Sequence, residues 1–171
     1  MRFLLFLFTV LICGCSTIDY DICVPDRKLD NYSIAYCGDE PSDMGFGRYV
    51  AVFEREWNRS SLFPHDPRLM TQAFNSIVIF WQPRIFRHPG VDGDLLGLTY
   101  MPIAGRIHMF VYVPPNCKDA GCTALGHELI HVAYGAISDD MYPNHLTDSI
   151  DWPDNHKAFL EEVRKSYLEQ K

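Results

Sequence analysis

The sequence predicts an α+β fold in which amphipathic helices cover one small mixed sheet. Two patterns carry this: apolar residues recur at three- and four-residue steps in separate segments, and short β-rich apolar runs lie between them. Pro and Gly punctuate the joins. At 171 residues the chain fits one domain with a sizeable core. Its composition, 47% hydrophobic and 22% charged, is that of a globular protein rather than a disordered one. A net charge of -7 with no extended run of Lys or Arg argues against nucleic acid as a partner, because phosphate contacts need a clustered basic surface.

The elements follow in order. Residues 15 to 44 are rich in Asp, Pro, Ser and Gly and read as a tether with an extended, disulfide-stapled lead-in; residues 45 to 171 form the domain. Phe46, Tyr49, Val50, Phe53 and Trp57 form the stripe of a helix over residues 46 to 57, with Glu54, Arg55 and Glu56 on its solvated side. A short helix is expected over 67 to 74, then a core strand over 76 to 81 that Pro83 stops. Residues 95 to 101 and 106 to 113 read as a hairpin around a turn at 102 to 105. A helix over 123 to 133 follows, with Leu125, Leu129, Val132 and Ala136 on one side and Gly135 as its stop. After an irregular acidic stretch, 138 to 151, a last helix runs from 153 or 154 to 168 and buries Phe159, Leu160, Val163 and Tyr167.

The N-terminus points to export. Met1 and Arg2 lead into an apolar run over residues 3 to 12, which suits a signal-peptide core and is too short to span a bilayer. Ile12-Cys13-Gly14-Cys15-Ser16 resembles the bacterial lipobox. That resemblance implies that residues 1 to 14 are removed and that Cys15 carries lipid. The chain would then sit in the bacterial envelope, with Ser16 resembling the cue for the outer membrane facing the periplasm. Simple signal-peptide cleavage and a buried N-terminal helix are the alternatives. Of the remaining cysteines, loop economy pairs Cys23 with Cys37 and Cys117 with Cys122. Cys117 and Cys122 as zinc ligands is the other reading.

The chemistry is concentrated in His127-Glu128-Leu129-Ile130-His131. Each helical residue advances by about 100°, so histidines four apart stand one turn above the other and can offer two imidazole nitrogens to one ion. Glu128 lies beside them, placed to accept a proton from a water held by the metal, whose pKa zinc lowers to about 7. Without a metal, the same residues are two surface histidines on a helix.

A catalytic zinc needs a third protein ligand and an open position. A metzincin would have glycine at 134 and histidine at 137, where this chain has Tyr134 and Ile137. A thermolysin-like Asn-Glu-x-x-x-Asp helix is also missing. The chain does have Asp154-Asn155-His156-Lys157-Ala158-Phe159, with His156 on the side shared by Leu160, Val163 and Tyr167. Over about residues 123 to 163 this resembles the SprT-like and Spartan-type metallopeptidases. In that group a second helix opens with a histidine ligand followed shortly by Phe. The interval between His131 and His156, residues 132 to 155, is long for the group.

The resemblance implies a zincin-like fold with a metal-bearing helix and a C-terminal helix. It makes His127, His131 and His156 ligands of one Zn2+ and Glu128 the base. His145, Asp148 and Asp151, or Glu161 and Glu162, are rivals to His156. His65, His88 and His108 read as structural or surface residues. Tyr134, Tyr142 and His145 are candidates to stabilise an oxyanion, each equally a packing or surface residue. The strand over 106 to 113, nearest in sequence to the metal helix, is either an ordinary core strand or the edge that an extended substrate joins.

The function implied is a zinc-dependent peptidase acting on a polypeptide. The alternatives are a non-catalytic metal-binding or structural envelope lipoprotein and a zinc amidase of cell-wall peptides.

Overall fold

The structure, a computed structural model, describes residues 27–28, 35–37, 45–60, 66–82, 84–88, 91–103, 105–138 and 156–170. The signal segment, Cys13, Cys15, the Cys23 to Cys37 pairing, His65, Tyr142, His145, Asp148 and Asp151 lie outside this set or rest on residues outside it.

Among the described residues there are four α-helices and a mixed five-stranded sheet, with a separate two-stranded ribbon. The α+β class is therefore observed. The strands are β1 (Arg27–Lys28), β2 (Ala35–Cys37), β3 (Ile77–Gln82), β4 (Phe86–His88), β5 (Val91–Leu95), β6 (Gly97–Ile103) and β7 (Arg106–Tyr112). The helices are α1 (Phe46–Arg59), α2 (Pro67–Phe74), α3 (Leu125–Ser138) and α4 (His156–Leu168). None of the helices among the described residues is long and apolar enough to cross a membrane.

The sheet order is β1-β2-β3-β7-β6. β2, β3 and β7 run parallel, while β1 and β6 are antiparallel to their neighbours. The lead-in segment thus contributes two short strands to the sheet, which its polar composition does not announce. β6 and β7 form the expected hairpin, turning at Gly105, whose φ of 79° favours glycine. The strand over 106 to 113 is interior, held between β3 and β6, so it is a core strand; β6 is the edge.

Alternation sorts the sheet into two faces. Ile77 and Ile79 of β3 with Ile107, Met109 and Val111 of β7 join the buried cluster formed with the helices. On the other face Phe80 stacks on Phe110 at 4.8 Å, and Phe86 of the β4–β5 ribbon lies 6.3 Å from Phe110. The ribbon was not legible as strands, because its short, largely exposed residues carry no apolar alternation.

α1 is the central brace. Its buried stripe holds Phe46, Tyr49, Val50, Phe53 and Trp57, as the three- and four-residue spacing predicts, and Val52 besides. Trp57 meets Tyr134 of α3 at 5.8 Å and Phe159 of α4 at 5.5 Å, both edge to face. α2 begins with Pro67 at its first position and Asp66 as its cap, accepting from the Arg68 and Leu69 amides. α3 does not stop at Gly135: it continues to Ser138, with Ala136 and Ile137 half-buried. Gly in a helix interior costs only about 1 kcal/mol, which packing of the last turn offsets.

Candidate functional site

The helix carrying the His-Glu-x-x-His sequence is fixed at its start by local bonds. A 3-10 turn at Ala120–Cys122 is capped by Asp119, which accepts from the Gly121 amide at 3.0 Å. The Cys117–Cys122 disulfide closes the same loop, so these cysteines do not serve as thiolate ligands. Thr123 Oγ1 accepts from the Leu125 amide at 3.1 Å, filling the capping role at the first turn of α3.

α3 then buries Leu125, Leu129, Ile130, Val132 and Ala133 and leaves His127 and His131 half-buried. Their ring centres are 5.2 Å apart with planes at 76°. Two imidazoles sharing one tetrahedral ion at about 2.0–2.1 Å have ring centres roughly 5 Å apart, so this pair already has the spacing of a shared ion.

His156 is the first residue of α4, half-buried, with its ring centre 6.4 Å from that of His127. That is roughly 1 Å longer than a shared ion requires, a gap within reach of a rotation about the His156 side-chain bonds. Among the described residues no group of three His, Cys, Asp or Glu side chains is gathered at metal-binding distance. The arrangement brings His127 and His131 together and holds His156 beside them.

The position of α4 is set by its buried residues. Phe159 packs edge to face on Phe53 at 5.3 Å, and Tyr167 on Tyr49 at 5.3 Å, with the Arg48 guanidinium 4.4 Å over the Tyr167 ring. Of the rivals on this helix, Glu161 and Glu162 are both exposed, and Glu161 lies 3.9 Å from Arg164. Tyr134 is engaged in the Trp57 packing, the simpler of its two readings. His88 bonds to the Tyr100 hydroxyl, and His108 packs against Phe80, both on the sheet face away from α3.

Glu128 is 4% exposed and is, with Thr99, one of two buried polar residues among the described ones. Its carboxyl lies against the inner side of β6. Thr99 Oγ1 donates to Glu128 Oε2 at 2.7 Å. Burial pushes the Glu128 carboxyl up to about 8, and the Thr99 hydrogen bond works against that rise. A carboxyl so placed changes protonation near neutral pH, which suits an acid–base group.

Nothing in the sequence singles out Thr99 or Gly97. The only trace is that β6 alternates small or polar residues, Gly97 and Thr99, with Leu98 and Tyr100, so that these two positions lack apolar bulk. No protein-family model, curated protein or solved structure matches this chain.

Proposed function

We propose that this chain is a zinc-dependent peptidase with a zincin-like arrangement, exported and held in the bacterial envelope by lipid on Cys15. The observation that carries the reading is a buried carboxyl, Glu128, set between a helix bearing two histidines at shared-ion spacing and the edge strand of the sheet.

The donor set suits one Zn2+: His127 and His131 would hold it from α3 and His156 from α4. When bound, zinc supplies Lewis acidity that polarises a carbonyl and acidifies water. The protein's own groups do the rest. Glu128 receives the proton of the attacking water and returns it to the leaving amine. The low exposure of the carboxyl keeps bulk water from competing for that proton.

β6 supports a polypeptide substrate. Among the described residues it ends the sheet, and an extended chain joining the sheet there would pair with its outer backbone groups. Such a chain would lie directly beside Glu128.

The test is incubation of the purified protein with an unfolded polypeptide and, separately, with peptidoglycan fragments. Cleavage of the polypeptide, stopped by a chelator and restored by zinc, is expected. Cleavage of the fragments alone would identify a cell-wall amidase, and cleavage of neither would leave a metal-binding or structural lipoprotein.

A further inference from the structure

At Gly97 the core side of β6 is filled by the Glu128 side chain. Gly97 has no Cβ, and one built there falls within the Glu128 side chain, 2.8 Å from both Cγ and Cδ. Two residues on, Thr99 is 7% exposed and donates to Oε2, with the same hydroxyl 3.4 Å from the Glu128 carbonyl oxygen. Register places Gly97 opposite Val111 and Thr99 opposite Met109, both fully buried in the core. The strand cannot slide without moving that core. A glutamate side chain has three rotatable bonds, and the free rotor would spread its carboxyl over several directions. Gly97 on one side and the Thr99 hydroxyl on the other leave it one.

We propose that Gly97 and Thr99 form a seat on the edge strand that sets the direction of the Glu128 carboxyl, Gly97 by the space it leaves and Thr99 by its hydrogen bond. They are positioning residues for the proposed peptide hydrolysis, and the kinetic part of this inference rests on that reading. The seat itself is a property of the fold and is tested without any activity.

Thr99→Val keeps the size and β-branching of the side chain and removes the hydroxyl. It is expected to lower kcat by roughly 10- to 100-fold with KM nearly unchanged, since the loss is one of orientation. Thr99→Ser, which restores the hydroxyl, is expected to recover most of it. Gly97→Ala displaces the Glu128 side chain from Cγ outward, not backbone, and should lower kcat.

The activity-independent arm is a thermal double-mutant cycle. Thr99→Val should lower Tm by about 2–4 °C with Glu128 present and by under about 1 °C in a Glu128→Leu background. Equal losses in both backgrounds would overturn the seat, whatever the activity. An unchanged kcat in Thr99→Val would overturn its positioning role. If the native chain cleaves no polypeptide, the peptidase reading fails, and the cycle alone then decides the seat.

Discussion

The hydroxyl of Tyr49 on α1 occupies the place that a Cβ would take at Gly126 on α3, one residue before His127. Leu160 of α4 reaches the same spot, 2.8 Å from that position. Gly126 is therefore where three helices close on one another, and through it α1 sets the distance between the helix of His127 and the helix of His156.

Gly126→Ala tests this closure. Helix propensity alone would favour alanine by about 1 kcal/mol. The added methyl meets Tyr49 and Leu160 instead, and we expect a net loss of about 1–2 kcal/mol in urea unfolding. Tyr49→Phe in the same chain should recover part of the loss by removing the hydroxyl.

Zinc affinity should separate the ligands from their rivals. His127→Ala, His131→Ala and His156→Ala are each expected to weaken binding by more than about 100-fold in competition with a chromophoric chelator. Glu161→Gln and Glu162→Gln, both exposed, should leave it unchanged. Full affinity in His156→Ala would move the third ligand to His145, Asp148 or Asp151.

His108 gives the protein a pH dependence away from the site. Burial, helped by Arg106, holds its imidazole below the usual histidine range, and its Nδ1 is buried without a hydrogen-bond partner. At this site the unfolded chain therefore takes up a proton first as pH falls, and the His108 contribution to stability is lost below about pH 6.5, against the opposite contribution of the raised Glu128 carboxyl. The contribution is fully present above that pH. In a Glu128→Gln background, which removes the opposing carboxyl, His108→Gln should flatten the curve of Tm against pH between about 5 and 6.5, and an unchanged curve would assign the dependence elsewhere.

Much of the architecture is legible in the sequence because it depends on local periodicity. The stripe of α1, the proline start of α2 and the Gly105 turn between β6 and β7 are written in neighbouring residues. Nonlocal pairing is not. β7 is nearest in sequence to α3, but its parallel pairing with β3 makes it interior and leaves β6 at the edge. β1 and β2 bring two and three residues to the sheet, too few to show a period.

The candidate site divides in the same way. His127, Glu128 and His131 are visible because helical spacing places them, and His156 because it opens a helix whose apolar face is readable. Thr99 and Gly97 reach Glu128 from 29 and 31 positions away, through the strand pairing that fixes β6. Neither is a residue type that announces chemistry.

Glu128→Gln is the most direct measurement of the central claim, because the amide keeps the shape of the side chain and cannot take the proton. Zinc content and cleavage of an unfolded polypeptide should be measured together on the native chain and the variant. The account predicts one zinc per chain in both and a fall in kcat of at least about 100-fold in the variant. Cleavage undiminished in Glu128→Gln, with zinc bound, would contradict it.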